Sequence, residues 1–322
     1  MRKAAPAVLV FLVTVFVLRP YALSLPQHGD EKRHVWKGAY YAGRLVRLDF
    51  SPPGADLYLN PGWDPLAHWA IDKPMGSHWV YALALGLTGS PAPAKPYSYT
   101  DATLQGPDTA IPAETLPAVR GAAVFCAALG LALIAWRLGW RGAVAAGLFL
   151  LIPHVPPDLA LAWDEGPLLL TVGLAVLTYG TPWFIVAAGA AAGVKLTGLV
   201  LWPLVFWRHP LGRSRLRHVA GLFVTSLVWA AITPYSWLVG GPAYLVLMLV
   251  YRLQTYLSQT AGGAGDLGEL LASERVFGFF WPTRYTWPLE LGLCLLITTQ
   301  VPRLWRRWRS RRAAGRPKTD AE

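Results

Sequence analysis

Residues 164–198 read DEGPLLLTVGLAVLTYGTPWFIVAAGAAAGVKLTG, so that two apolar runs lie between a pair of acids and a lysine. Apolar runs recur along the whole chain, at about 4–23, 118–137, 142–160, 166–180, 182–207, 218–238 and 287–303. A run of about 20 apolar residues is long enough to cross the hydrocarbon core of a bilayer as a helix. The pattern therefore predicts an all-α, multi-pass membrane protein.

The composition favours the same class, because 54% of the 322 residues are hydrophobic and only 15% are charged. So few polar side chains cannot cover a soluble globule of this size. The formal net charge of +11 comes mainly from short basic runs beside apolar segments, which indicates membrane topology rather than nucleic-acid binding. Cys126 and Cys294 both lie in apolar runs, so we expect small buried side chains without disulfide or metal roles.

The stretch 182–207 is long enough for one pass but is interrupted near Lys195. A single pass would leave the basic segment 208–217 on the outer side. The positive-inside rule therefore favours two short passes that turn at Lys195. This gives about eight crossings with both termini in the cytoplasm, and the bias towards Ala, Gly, Arg and Pro suits the inner membrane of a bacterium.

We expect one transmembrane domain over residues 1–303 and a basic cytoplasmic tail over 304–322. Residues 24–117 form a first outer loop that is too long to be a simple connector, and residues 240–286 form a second. Most of the acids fall on these outer segments. Their distribution suggests that the outer face performs the chemistry of the protein.

Two interfacial helices are expected inside the first outer loop, at residues 30–48 and 78–87. Spacings of three or four residues place five side chains along one polar face of the first helix. They are Asp30, His34, Lys37, Tyr41 and Arg44. His34 is thereby a candidate orienting residue beside Asp30, and Asp72 is another candidate for orienting the acceptor.

Two pairs of acids are candidates for catalysis. Asp30 and Glu31 follow the first span, where a carboxylate can take the proton of an attacking hydroxyl. The alternative is a solvated helix start, where acids are common. Asp164 and Glu165 lie at the edge of a later span, either as a site that orients an acceptor or as a cap ahead of Pro167.

Three basic residues are candidates for binding a phosphate at the outer headgroup level. Lys73 can neutralise a leaving phosphate, or it can be an interfacial lysine paired with Asp72. Lys195 needs an anionic partner or a water-filled cavity at membrane depth, unless it snorkels to the interface. Arg284 lies in an aromatic segment that is also typical of an interfacial anchor.

The order of these segments resembles that of the family 39 glycosyltransferases, which include the protein O-mannosyltransferases and the aminoarabinose transferases and share the GT-C fold. The resemblance covers about residues 1–300. It depends on Asp30-Glu31 after the first span, Asp72-Lys73-Pro74, Asp164-Glu165 before an apolar helix, and the glycine-rich segment 189–198 around Lys195.

The resemblance implies a GT-C-like helix bundle that transfers a sugar, with inversion, from a polyprenyl-monophosphate donor to an acceptor hydroxyl on the outer face. The acceptor is a protein, glycan or lipid. Asp30 would be the catalytic base with Glu31 beside it, and Lys73 and Lys195 would bind the donor phosphate. Either Asp164 or Glu165 matches the single second-loop acid of the family.

The lysines make a metal unnecessary in this reaction, although the carboxylates could hold Mg²⁺ or Mn²⁺. Many members of the family continue with further spans or an outer domain, so we expect a membrane-protein partner to help in acceptor recognition. Two other classes remain open. One is a transporter or flippase of a lipid-linked anion, and the other is a catalytically silent membrane scaffold.

Overall fold

The computed structural model of the chain describes residues 3–47, 75–95, 106–207, 215–233, 290–300 and 302–303. These described residues are helical or irregular and include no strand, which confirms the all-α prediction. The helices are α1 (Ala4–Ser24), α2 (Gly29–Val46), α3 (Gly76–Thr88), α4 (Leu116–Leu138), α5 (Trp140–Leu150), α6 (Val155–Ala160), α7 (Glu165–Thr178), α8 (Trp183–Val194), α9 (Trp202–Trp207), α10 (Arg215–Ile232) and α11 (Glu290–Gln300).

Among the described residues, two helices, α1 and α4, are long and apolar enough to cross a membrane, each with a mean hydropathy of 2.0. Five further apolar helices in the same part of the chain are shorter. Large apolar side chains face outward on several of them, among them Phe16 on α1, Phe125 on α4 and Phe223 on α10. An apolar exterior of this kind suits contact with lipid.

The apolar run 142–160 predicts one continuous helix, and this prediction is wrong. The structure divides the run into α5 and α6, with a turn between Leu150 and Val155. Pro153 has no amide hydrogen to donate within a helix, and it disfavours the helical conformation of the residue before it. Pro156 lies in the first turn of α6, where proline is tolerated.

Helix α4 is the centre of the bundle and packs against α1 on one side and α7 on another. Glycines allow the backbones of α4 and α7 to approach closely. A Cβ atom on Gly166 would lie 2.5 Å from the carbonyl oxygen of Ala123, and Gly130 and Gly173 are equally crowded by backbone atoms. On the other side, fully buried Leu18 of α1 joins the same apolar cluster as α4.

The chain reverses direction at Lys195, as the sequence predicts. Lys195 is extended (φ −152°, ψ 140°) between α8 and the 3-10 segment that comes next in the chain. The returning segment lies against α8, where the indole N–H of Trp202 donates to the carbonyl oxygen of Ala188 over 3.3 Å. Gly198 fits against the carbonyl group of Ala191 only because it has no Cβ.

Four predicted acids lie at one end of the bundle, which we call the acidic end: Asp30, Glu31, Asp164 and Glu165. The predicted interfacial helices, observed as α2 and α3, pack against each other at this end. The indole N–H of Trp79 on α3 donates to the carbonyl oxygen of Ile232 at the end of α10 over 2.8 Å. At the opposite end, Arg137 of α4 donates to the carbonyl oxygen of Tyr179, beside the end of α7.

Candidate active site at the acidic end

The structure brings six of the nine predicted site residues to the acidic end. They are Asp30, Glu31, His34, Asp164, Glu165 and Lys195. The first three are carried by α2, the next two by the start of α7, and the lysine by the turn after α8. The remaining three predicted residues, Asp72, Lys73 and Arg284, lie outside the described residues.

Glu31 is fully buried and is bound by the fully buried Arg120. The guanidinium donates to Oε1 from Nε over 2.7 Å and to Oε2 from Nη2 over 2.9 Å. The backbone N–H of Ala162 also donates to Oε1, and the backbone N–H of His28 donates to Oε2. All four acceptor positions of a carboxylate are thereby used. This geometry favours an anchoring role for Glu31 over the catalytic role that the sequence suggests.

Arg120 was not predicted as a functional residue, yet it joins three segments at the acidic end. In addition to Glu31, its guanidinium donates to the carbonyl oxygens of Ala22, Leu25 and Pro26 over 2.8–3.0 Å. These groups lie in and just after the last turn of α1, where carbonyls lack partners within the helix. The sequence did contain a signal for this role, because Arg120 lies inside the apolar run 118–137. A charged side chain within such a run requires a partner in the protein.

Asp164 lies in a buried polar cluster with His34 and Ser77. The Ser77 hydroxyl donates to Oδ1 of Asp164 over 2.6 Å, and Nδ1 of His34 lies 3.5 Å from the same oxygen. The ring of His78 packs on His34 with a centroid separation of 4.9 Å. A carboxylate next to an imidazole and a hydroxyl can orient an acceptor and hold its proton.

Glu165 accepts a hydrogen bond from the ammonium of Lys195. Their side chains are 6% and 14% exposed, respectively. Asp164 thus contacts Ser77 of α3 and His34 of α2, and Glu165 contacts Lys195 at the turn after α8. Lys195 meets a carboxylate of the protein where the sequence predicted a lipid phosphate.

Asp30 is the most exposed of the four acids, with 24% of its side chain accessible. Nη1 of Arg33 lies 3.8 Å from its Oδ1, and its backbone N–H donates to Nδ1 of His28. The neighbouring Glu31 is anchored, so the backbone that carries Asp30 is held in place. An accessible carboxylate on a fixed backbone is well placed to meet a substrate.

Tyr81 of α3 lies beneath the cluster and donates from its hydroxyl to the carbonyl oxygen of Trp163. Burial raises the pKa of Tyr81 well above its usual value, and the neighbouring Cys126, Asp164 and Glu31 raise the pKa further. The phenol therefore stays neutral and keeps its hydrogen bond at physiological pH. This hydrogen bond fixes the backbone of Trp163, which immediately precedes Asp164.

Within the described ranges, no group of three or more His, Cys, Asp or Glu side chains is arranged to hold a metal ion. The chain matches no protein-family model, no curated protein and no solved structure.

Proposed function

We propose that the protein is an integral membrane glycosyltransferase that moves a sugar, with inversion, from a polyprenyl-monophosphate donor to an acceptor hydroxyl at the outer face of the membrane. The observation that supports this proposal is the presence of Asp30, Asp164 and Lys195 at one end of a helix bundle with an apolar exterior. The reaction needs a base for the attacking hydroxyl and a cation for the leaving phosphate.

In this proposal, Asp30 takes the proton of the acceptor hydroxyl. At the same time, the hydroxyl oxygen of the acceptor forms a bond to the anomeric carbon of the sugar. The bond between that carbon and the phosphate oxygen breaks, and the electron pair remains on the phosphate. Lys195 exchanges Glu165 for this phosphate and neutralises its charge. Lys73 is a second candidate for that contact, and Asp164 orients the acceptor through its polar cluster.

We infer a topology of about eight crossings in a bacterial inner membrane, with the acidic end outside and both termini in the cytoplasm. The distribution of charge supports this orientation. Arg137 ends α4 and Arg141 begins α5, so both lie at the end opposite the four acids. Basic residues concentrate on the inner side of membrane proteins. The reversal at Lys195 supports the proposal of two short passes on either side of it.

The test is transfer by the purified protein in vesicles, with labelled polyprenyl-phosphate sugars and extraction of the product into protein, glycan and lipid fractions. Asp30→Asn should lower the rate about 10²–10⁴-fold, the range for loss of a general base. Membrane insertion and thermal unfolding should stay at the wild-type level. Asp108→Asn is the matched control, because this acid is exposed and is paired with Lys95.

Undiminished transfer by the Asp30→Asn variant would remove the proposed base. If the wild type moves the labelled lipid across the vesicle membrane without forming a product, the transporter alternative is correct. If the wild type neither transfers sugar to any acceptor fraction nor moves the labelled lipid, the scaffold alternative is favoured.

A further inference from the structure

A cleft lies between α1 and α4 on the outside of the bundle. Its volume is about 440 Å³, within the ~300–1,000 Å³ range of small-molecule sites. Phe11 and Val15 of α1 and Val124 and Phe125 of α4 form its apolar walls. The rings of Phe11 and Phe125 meet edge to face, with centroids 5.9 Å apart, at the part of the cleft farthest from the acidic end.

Two arginines, Arg19 and Arg120, line the mouth of the cleft, towards the acidic end. The guanidinium of Arg120 is engaged by Glu31 and three backbone carbonyls. Arg19 is exposed and forms no hydrogen bond or ion pair with any residue that the structure describes. It lies five residues before the end of α1, or about 7–8 Å along the axis. A long basic side chain spans that distance by snorkelling to the headgroup level.

We propose that this cleft binds one anionic phospholipid, with an acyl chain between Val15 and Val124 and the phosphate at Arg19. The proposal depends on the membrane location proposed above but not on the transfer reaction. A cation at headgroup level above an apolar slot complements a phosphate attached to a hydrocarbon chain.

Gly121 provides a direct way to fill the cleft. It lines the cleft, it is exposed, and no atom lies within 4 Å of the position that its Cβ would take. A side chain at this position therefore begins in open space on the lining of the cleft, and leucine favours helix over glycine. Gly147 on α5 is the matched control, because it is equally exposed and equally open.

The experiment uses phosphatidylglycerol with a photoactivatable group in its acyl chain, diluted into phosphatidylcholine vesicles that contain the full-length protein. We expect crosslinks in peptides that contain Val15 and Val124, and much weaker labelling by phosphatidylcholine with the same acyl chain. Arg19→Gln should lower this labelling about fivefold, which corresponds to about 1 kcal/mol for one basic residue at an anionic surface. Gly121→Leu should also lower it, whereas Arg141→Gln and Gly147→Leu should leave it unchanged.

Equal labelling by the neutral lipid, or undiminished labelling of the Gly121→Leu variant, would overturn the proposal. Displacement of the label by polyprenyl monophosphate would also overturn it, since the cleft would then belong to the glycosyl donor. Failure of the wild type to insert into vesicles would overturn the membrane location itself. Loss of sugar transfer alone leaves this result intact, because the labelling requires no reaction.

Discussion

The two acid–cation pairs at the acidic end have the same charges but different surroundings. Glu31 and Arg120 are buried, and Arg120 alone makes five hydrogen bonds that join α4 to α2 and to the end of α1. Glu165 is also buried, but its partner Lys195 keeps 14% of its side chain exposed and lies at a reversal of the chain. An arginine fork with every donor engaged holds helices together, whereas a lysine ammonium is a compact charge that can change partners. Arg120 therefore anchors the helices, whereas Lys195 is available to a substrate.

The largest effect is expected from breaking the buried pair. Arg120→Met leaves the Glu31 carboxylate buried without a counter-charge, which costs about 3–5 kcal/mol of the free energy of unfolding. Thermal unfolding of the detergent-solubilised protein measures the loss. The double variant Glu31→Gln, Arg120→Met should recover part of it, because no charge then remains buried. If the single variant unfolds like the wild type, the pair is not an anchor.

Breaking the pair of Glu165 and Lys195 should affect activity more than stability. Lys195→Gln should lower kcat/KM about 10²–10³-fold, as expected when one group that stabilises developing charge is removed. The glutamine amide can still donate to Glu165 and Lys195 is less buried than Arg120, so the loss of thermal stability should be smaller than in Arg120→Met. Lys95→Gln is the control, because this lysine pairs with Asp108 on the exposed surface. If Lys195→Gln lowers thermal stability as much as Arg120→Met does, both ion pairs anchor the helices.

A smaller effect of opposite sign is expected from Glu165→Gln. If the carboxylate competes with the donor phosphate for Lys195, its removal should tighten the binding of polyprenyl phosphate by about tenfold, or about 1.4 kcal/mol. Quenching of tryptophan fluorescence by the added lipid measures the Kd. Weaker binding in this variant would show that Glu165 positions the ammonium and does not compete for it.

The smallest effect concerns the support beneath the cluster. Tyr81→Phe leaves the carbonyl of Trp163 without its donor, which should cost about 1 kcal/mol. The pKa of Tyr81 is raised in the folded state, so above about pH 10 the unfolded chain loses this proton first. Stability from this group is therefore lost as pH rises beyond that value. The difference in stability between wild type and variant should narrow there, and a constant difference would contradict this role.

Much of the fold could be predicted from apolar run lengths and charge placement, including α1, α4 and the reversal at Lys195. The break between α5 and α6 was missed because hydropathy does not register the missing amide hydrogen of Pro153. The partnership of Glu31 with Arg120 was also missed, since 89 positions separate them. Likewise, consecutive helical residues point about 100° apart, and sequence alone does not show which neighbour Asp164 or Glu165 faces.

The reversal at Lys195 has a consequence for length. One extended residue joins α8 to the returning segment, so there is no slack to absorb an insertion or a deletion. Each helical residue added to α8 would rotate the returning segment by about 100°, moving Trp202 away from Ala188 and Gly198 away from its close contact. An altered chain therefore has to keep the length of segment 189–198 as well as Gly198 and Lys195.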